Sequence, residues 1–220
     1  MSAVAPIPPR FVIYPSIDFE TYSEAGFVWN DSEGKWTCPP NAPQNKKGLS
    51  VVGAAVYAEH PTTEVLTLSY DLLDGLGTQR WHPGMDAPLD LFNHVARGGL
   101  LSGWNVSFEH HIWNKVCVRK YGWPPLPQRQ LRCTMARSRH FNFPGALAMA
   151  GTVGDWEIQK DPAGDALLKK FSMPRNPTKK DARTRHRPEE FPEDGERLYA
   201  YCDTDVATEQ CGATHLPELR

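Results

Sequence analysis

The chain has 220 residues, with 24 Lys+Arg against 26 Asp+Glu, a formal charge of −2, and 40% apolar residues. That balance fits one ordinary soluble globular domain and excludes collagen-like, low-complexity and strongly charged disordered classes. No apolar run approaches the ~20 residues needed to cross a bilayer, so no membrane role is expected. The first ten residues lack the basic start and long apolar core of a secretory signal. The five cysteines include no C-x-x-C pair, which argues against a disulfide framework or zinc ribbon and for reduced thiols in a cytoplasm. A near-zero net charge is neutral about nucleic acid, because a carboxylate-rich site can mask a basic groove in the sum.

In chain order, residues 1–10 are proline-rich and read as a loose arm, and 11–220 as the domain. Residues 11–20 (FVIYPSIDFE) predict a strand, with Pro15 marking an irregular start or an edge position. Residues 23–48 form a long surface insertion, with a hairpin-like stretch around Trp29 and Trp36. Residues 49–58 (LSVVGAAVYA) and 64–70 (EVLTLSY) predict the second and third strands. An amphipathic helix spans 86–97, stopped by Gly98-Gly99. A short buried strand at 100–104 leads into a helix over 106–121. Shorter helices are expected at 133–140, 145–150 and 165–171, a basic, polar loop at 174–194, and a closing helix at 197–215. Strand–strand–strand–helix–strand–helix order predicts an α/β fold with a mixed sheet. The short links between the first strands make part of that sheet antiparallel.

Three acidic segments stand out. Asp18 and Glu20 are two apart in a strand, so they project from one face while Phe19 turns to the other. Two adjacent carboxylates repel, which costs stability unless a cation lies between them or the strand runs out into solvent. Asn105 sits at a helix start, placing Glu109 in the first turn, where the helix dipole also favours an acid. Tyr201 and Asp205 share one helical face, four residues apart, with Asp203 rotated off it.

In order and context, Asp18-Phe19-Glu20, Asn105-Val-Ser-Phe108-Glu109 and Tyr201-Cys-Asp-Thr-Asp205 resemble the three motifs of the DnaQ-like, or DEDD, 3′–5′ exonucleases. The stretches "DFETYSEAGFVW", "GLSVVGAAVYAEHPTTEVL", "NVSFEHHIWNKVCVRKYGWPPLP", "LRCTMARS" and "YCDTDVATE" look like the exonuclease domain of phage-type family A DNA polymerases, over most of the chain from about Phe11. Ala200 stands where the histidine branch of the family carries its histidine, so the likeness is to the tyrosine branch. Position 109 departs from the usual aspartate. Its extra methylene displaces the carboxylate by ~1.5 Å, a distance that a backbone shift or a bridging water could absorb.

The resemblance implies a ribonuclease H-like fold, a central mixed five-stranded sheet flanked by helices. It also implies a two-metal 3′–5′ exonuclease that removes nucleotides from single-stranded or frayed DNA 3′ ends, as the proofreading domain of a polymerase. Asp18, Glu20, Glu109 and Asp205 would hold two Mg²⁺ or Mn²⁺ ions, and Tyr201 would orient the attacking water. The alternatives are a catalytically silent nucleic-acid-binding module and an RNA-trimming enzyme of the same branch. Implied partners are single-stranded DNA and a polymerase domain in cis or trans. The sequence leaves the oligomeric state open, and the expected setting is the host cytoplasm if the gene is a phage's. The chain ends soon after the third motif, which leads to the expectation of a polymerase fragment or a stand-alone exonuclease.

Substrate contacts are expected from Tyr22, Trp104, Asn105 and Phe108 beside the motifs, the aromatic rings as base-stacking surfaces. Residues 175–187 hold six Lys/Arg and one Asp, so Arg175, Lys179 and Lys180 are expected to track phosphates. Adjacent His110 and His111 point to different sides of their helix and receive no role. Cys202 is expected to be a small buried residue.

Overall fold

The computed structural model describes residues 10–43, 46–161 and 164–219. Residues 1–9 of the expected arm lie outside the described residues. The five strands of the main sheet are β1 (Ser16–Tyr22), β4 (Glu64–Asp71), β5 (Gln79–Trp81), β6 (Leu101–Gly103) and β7 (Leu131–Cys133), in the order β5-β4-β1-β6-β7. β4 pairs antiparallel with β1 and β5, while β6 runs parallel to β1 and β7. The sheet is therefore mixed and five-stranded, flanked by helices, and compatible with a ribonuclease H-like fold. Strands β2 (Val28–Asn30) and β3 (Lys35–Thr37) make the separate hairpin expected around Trp29 and Trp36.

Alternation along β1 sets up two faces. Ile17 and Phe19 enter the larger core with Leu68, Leu101, Ile112, Trp113 and Trp123, while Tyr22 joins a smaller cluster with Leu66, Leu167, Phe171 and Leu198. The β1–β4 register shifts between Glu20 and Thr21, with Glu20 opposite Thr67 and Thr21 opposite Val65. Leu66 is the extra residue of that bulge, which turns it to the second face and bends the strand beside Glu20. That second face is covered by α7 (Gly164–Ser172) and the long α8 (Pro192–His215).

Several expectations need correction. Residues 49–58 are not a strand but part of α1 (Leu49–Glu59), interrupted at Gly53, whose φ of 75° and ψ of 163° are non-helical. A short apolar run does not separate a strand from a helix by period, and β4 is already paired on both edges. β1 begins at Ser16 rather than 11, after Pro15, and it is central in the sheet, so only the irregular start holds. β5 and β7 were not anticipated, because three residues carry no period.

The remaining helices are α2 (Leu89–Ala96), α5 (Thr134–His140) and α6 (Leu147–Gly154). The helix expected over 106–121 is α3 (Val106–His111), a π-helical turn at Ile112–Cys117, and α4 (Val118–Tyr121). The wide turn buries Ile112, Trp113, Val116 and Cys117 together, and Asn114 Nδ2 donates to the carbonyls of His110 and Leu126 across it.

Candidate active site

On β1, Phe19 goes into the core and the carboxylates of Asp18 and Glu20 face α8. From α8 come Tyr201 and Asp205, on the buried stripe Leu198, Cys202, Asp205, Val206 and Glu209. Carboxylate oxygens of Asp18, Glu20 and Asp205 lie within 4.8 Å of one another. Glu109 reaches the same place from the first turn of α3, just after β6. A Cβ at Gly103 would stand 3.0 Å from Ile17 O and 3.6 Å from Glu109 Cγ, so glycine there lets β6 and Glu109 close on β1.

All four acids line one cleft of about 430 Å³, with Phe19, Leu49, Trp104, Asn105, Phe108, Met135, Lys160 and residues 145–148. Glu109 is outside the tight set of three but on the wall of the same cleft. Its Oε2 and Asp205 Oδ1 are buried with no hydrogen-bond partner among the described residues, an arrangement that costs free energy unless something else satisfies them.

The electrostatics follow from burying like charges. Burial, opposed by Lys160, lifts the Asp18 carboxyl above its ordinary range. Burial and then the charges of Asp18 and Asp205 lift Glu20 well above it, and burial and then Asp18 do the same for Glu109. Asp205 is pushed up to about 7 by burial and by Asp18, against the pull of Lys160. Burial of like charges thus favours the protonated carboxyls, a preference that a bound divalent cation would reverse.

Among the described residues, Lys160 is the one cation lining this cleft. Its ammonium bonds Asp205 Oδ2 and sits 4.6 Å from the centroid of the Tyr201 ring. Despite burial, Asp205 and Tyr201 hold its pKa above the ordinary lysine value. Burial and Asp205 likewise push the Tyr201 phenol up. Lys160 was missed in the sequence: a lone lysine between two helices carries no periodic or motif signal.

The neighbours are settled by hydrogen bonds. Asp203 points away from the cleft, as its helical position predicts, and binds Ser69 Oγ and Arg80 Nε at 2.6 Å each. Cys202 is buried, its Sγ 3.2 Å from Asp18 Oδ2. One turn further, buried Glu209 accepts from Ser16 and Thr134, tying α8 to β1 and to the start of α5. Nothing in the sequence marked Glu209.

The expected substrate contacts divide. Trp104, Asn105 and Phe108 line the cleft. Trp104 Nε1 donates to Gly145 O at 2.9 Å, fixing its ring at the wall. Asn105 occupies the N-cap position of α3, but its side chain makes no capping bond. Tyr22 is not at the cleft: it is 1% exposed, and the Arg185 guanidinium covers its ring at 3.6 Å. Its place in the second core cluster leaves no face for a base. Arg175, Lys179 and Lys180 lie on the loop between α7 and α8, which ends at 191 rather than 194 because α8 already starts at Pro192, and they do not line the cleft. Arg175 pairs with Asp181, whereas Lys179 and Lys180 are exposed. A second, mostly apolar cleft of about 520 Å³ adjoins the first through Glu20, Leu49 and Phe108, and runs on to Phe27, Leu168 and Met173.

No family model and no solved structure matches the chain. A DNA polymerase of Bacillus phage SP02 is 30% identical over 165 residues, covering 74% of this chain and 25% of that protein. The chain therefore spans about a quarter of the length of the curated relative it matches.

Proposed function

We propose that this chain is a 3′–5′ exonuclease, the proofreading portion of a phage-type DNA polymerase, which removes nucleotides from single-stranded or frayed DNA 3′ ends with two Mg²⁺ or Mn²⁺ ions. The observation that carries this reading is the convergence of Asp18, Glu20 and Asp205 in one cleft with Glu109. The likeness to a phage DNA polymerase supports the polymerase setting.

The residues fit such ions. The donors are all carboxylate oxygens, which suit hard Mg²⁺ or Mn²⁺ over zinc, and two buried oxygens have no other partner among the described residues. Asp18, Glu20, Asp205 and Glu109 are the residues that would hold the ions. When bound, such ions lower the pKa of a water and stabilise charge on the attacking and leaving oxygens.

The chain's own side chains do the rest. Tyr201, with its phenol pushed up, keeps its proton and orients a water by hydrogen bonding rather than removing a proton from it. Lys160 offsets the acids' charge and lies where it can meet a phosphate oxygen. Trp104, Phe108 and Asn105 form the wall against which a terminal nucleotide would rest.

The test is the double variant Asp18→Ala/Glu20→Ala on a 5′-labelled single-stranded oligonucleotide with Mg²⁺. The wild type is expected to shorten it stepwise from the 3′ end and to stop with EDTA. The variant is expected to lose at least ~10³-fold in rate, equivalent to about 4 kcal/mol of transition-state stabilisation. Wild-type rates in the variant contradict the assignment, and matched RNA and DNA oligonucleotides give the sugar preference.

A further inference from the structure

Away from the carboxylate cleft, three side chains of a different chemistry converge at the surface. Cys211 and His215 are four residues apart on α8 and share a face, and Glu157, between α6 and α7, reaches the same spot. Their donor atoms lie within 4.8 Å of one another. Cys211 Sγ is 3.3 Å from Glu157 Oε2, and His215 Nε2 is 3.6 Å from the same oxygen. Around a tetrahedral zinc ion, with Zn–S about 2.3 Å and Zn–N and Zn–O about 2.0–2.1 Å, neighbouring donors stand about 3.3–3.6 Å apart. Two edges of such a tetrahedron are already in place.

The imidazole is also oriented for ligation. His215 Nδ1 lies 2.9 Å from the Cys211 carbonyl oxygen. An Nδ1–H donating there leaves the Nε2 lone pair toward Glu157, the arrangement by which backbone carbonyls fix metal-binding histidines. Trp156, 2% exposed, lies nearly parallel to the ring, at 6.1 Å and 26°. The indole itself is held against α8 at Gly212, where a Cβ would come within 2.4 Å of it.

We propose that Cys211, His215 and Glu157 form a surface site for a zinc-class divalent cation, with water as the fourth ligand. Thiolate, imidazole and carboxylate together select a borderline-soft ion rather than Mg²⁺. On binding, the Cys211 thiol releases its proton to solvent and the thiolate donates to the metal. The ion would join residues 155–161, the stretch that delivers Lys160, to the helix that carries Asp205. A plain thiol–carboxylate hydrogen bond beside an imidazolium–carboxylate pair would have similar distances, so the test must read the metal–sulfur bond itself.

Cobalt(II) supplies that reading when titrated into the EDTA-stripped full chain. The expected result is near-ultraviolet thiolate-to-Co²⁺ charge transfer with intense visible tetrahedral bands, all displaced by Zn²⁺. These bands persist in Cys202→Ser, whose thiol lies against Asp18, and in Asp18→Ala/Glu20→Ala. They vanish in Cys211→Ser, and His215→Ala binds Co²⁺ at least ~10-fold more weakly. Absence of the bands in the wild type, their survival in Cys211→Ser, or unchanged affinity in His215→Ala overturns the site. Circular dichroism of each variant confirms that the fold is retained.

Discussion

The chemistry of the cleft begins with period two on one strand. Phe19 is buried, so its neighbours Asp18 and Glu20 must leave the core together, and α8 meets them with Asp205. These carboxylates stabilise the fold poorly while they lack a cation. Asp205 titrates near 4 in an unfolded chain and at about 7 in the folded one. Between those values the folded chain holds more protons than the unfolded chain, so stability falls as pH rises through that window. Thermal unfolding of the metal-free protein is therefore expected to give a higher Tm at pH 5 than at pH 8. Asp205→Asn should flatten this slope, and Mn²⁺ at pH 8 should restore the lost stability. A metal-free Tm that rises from pH 5 to pH 8 contradicts the electrostatic account.

At the scale of elements, α7 and α8 pack so closely that Gly164, the first residue of α7, touches the Tyr201 ring. A Cβ at Gly164 would stand 1.8 Å from Tyr201 Cδ2. Gly164→Ala therefore has to displace the ring or the start of α7, at a cost of about 1–3 kcal/mol for overpacking. Denaturant melts should show that loss, and nucleotide removal should slow as well, because the displaced ring lies against Lys160, 4.6 Å from its ammonium. A variant with wild-type stability and rate would show that the ring's position is not fixed by this contact.

Much of this was legible in the sequence where spacing carries the information. That Asp18 and Glu20 share a face follows from strand alternation and that Tyr201 and Asp205 share one follows from helical spacing, whereas their meeting with Glu109 in one site was implied by the resemblance to the DnaQ-like exonucleases. Residues 49–58 read as a strand because three valines in an apolar run suit one, while Gly53 breaks the helical period that reveals α1. β5 and β7 are too short to show a period. Lys160, Glu209 and the bulge at Leu66 become visible only when distant segments are packed, as does the burial of Tyr22 under Arg185.

On the scale of the whole molecule, the acids of β1, α3 and α8 meet in one cleft, while the basic run 175–187 lies on a separate loop. Within that loop most cations are already paired: Arg175 and Arg183 with Asp181, and Arg185 with Glu64. Lys179 and Lys180 are exposed and have no ion pair among the described residues, so they are the pair free to meet phosphates. Lys179→Ala/Lys180→Ala is expected to make the salt dependence of single-stranded DNA binding shallower by about 0.7 per lost phosphate contact. An unchanged slope would remove the loop from the DNA path. Among the described residues, no helix is long and apolar enough to cross a membrane.

Segments distant in the chain are proposed to build one seat for a pair of divalent ions. Anomalous diffraction at the manganese edge, from crystals of the full chain grown with Mn²⁺, tests this most directly. Two peaks are expected in the cleft, one among Asp18, Glu20 and Asp205 and a second between Asp18 and Glu109, about 3.5–4 Å apart. A cleft that stays free of manganese, with Lys160 still bonded to Asp205, would contradict it.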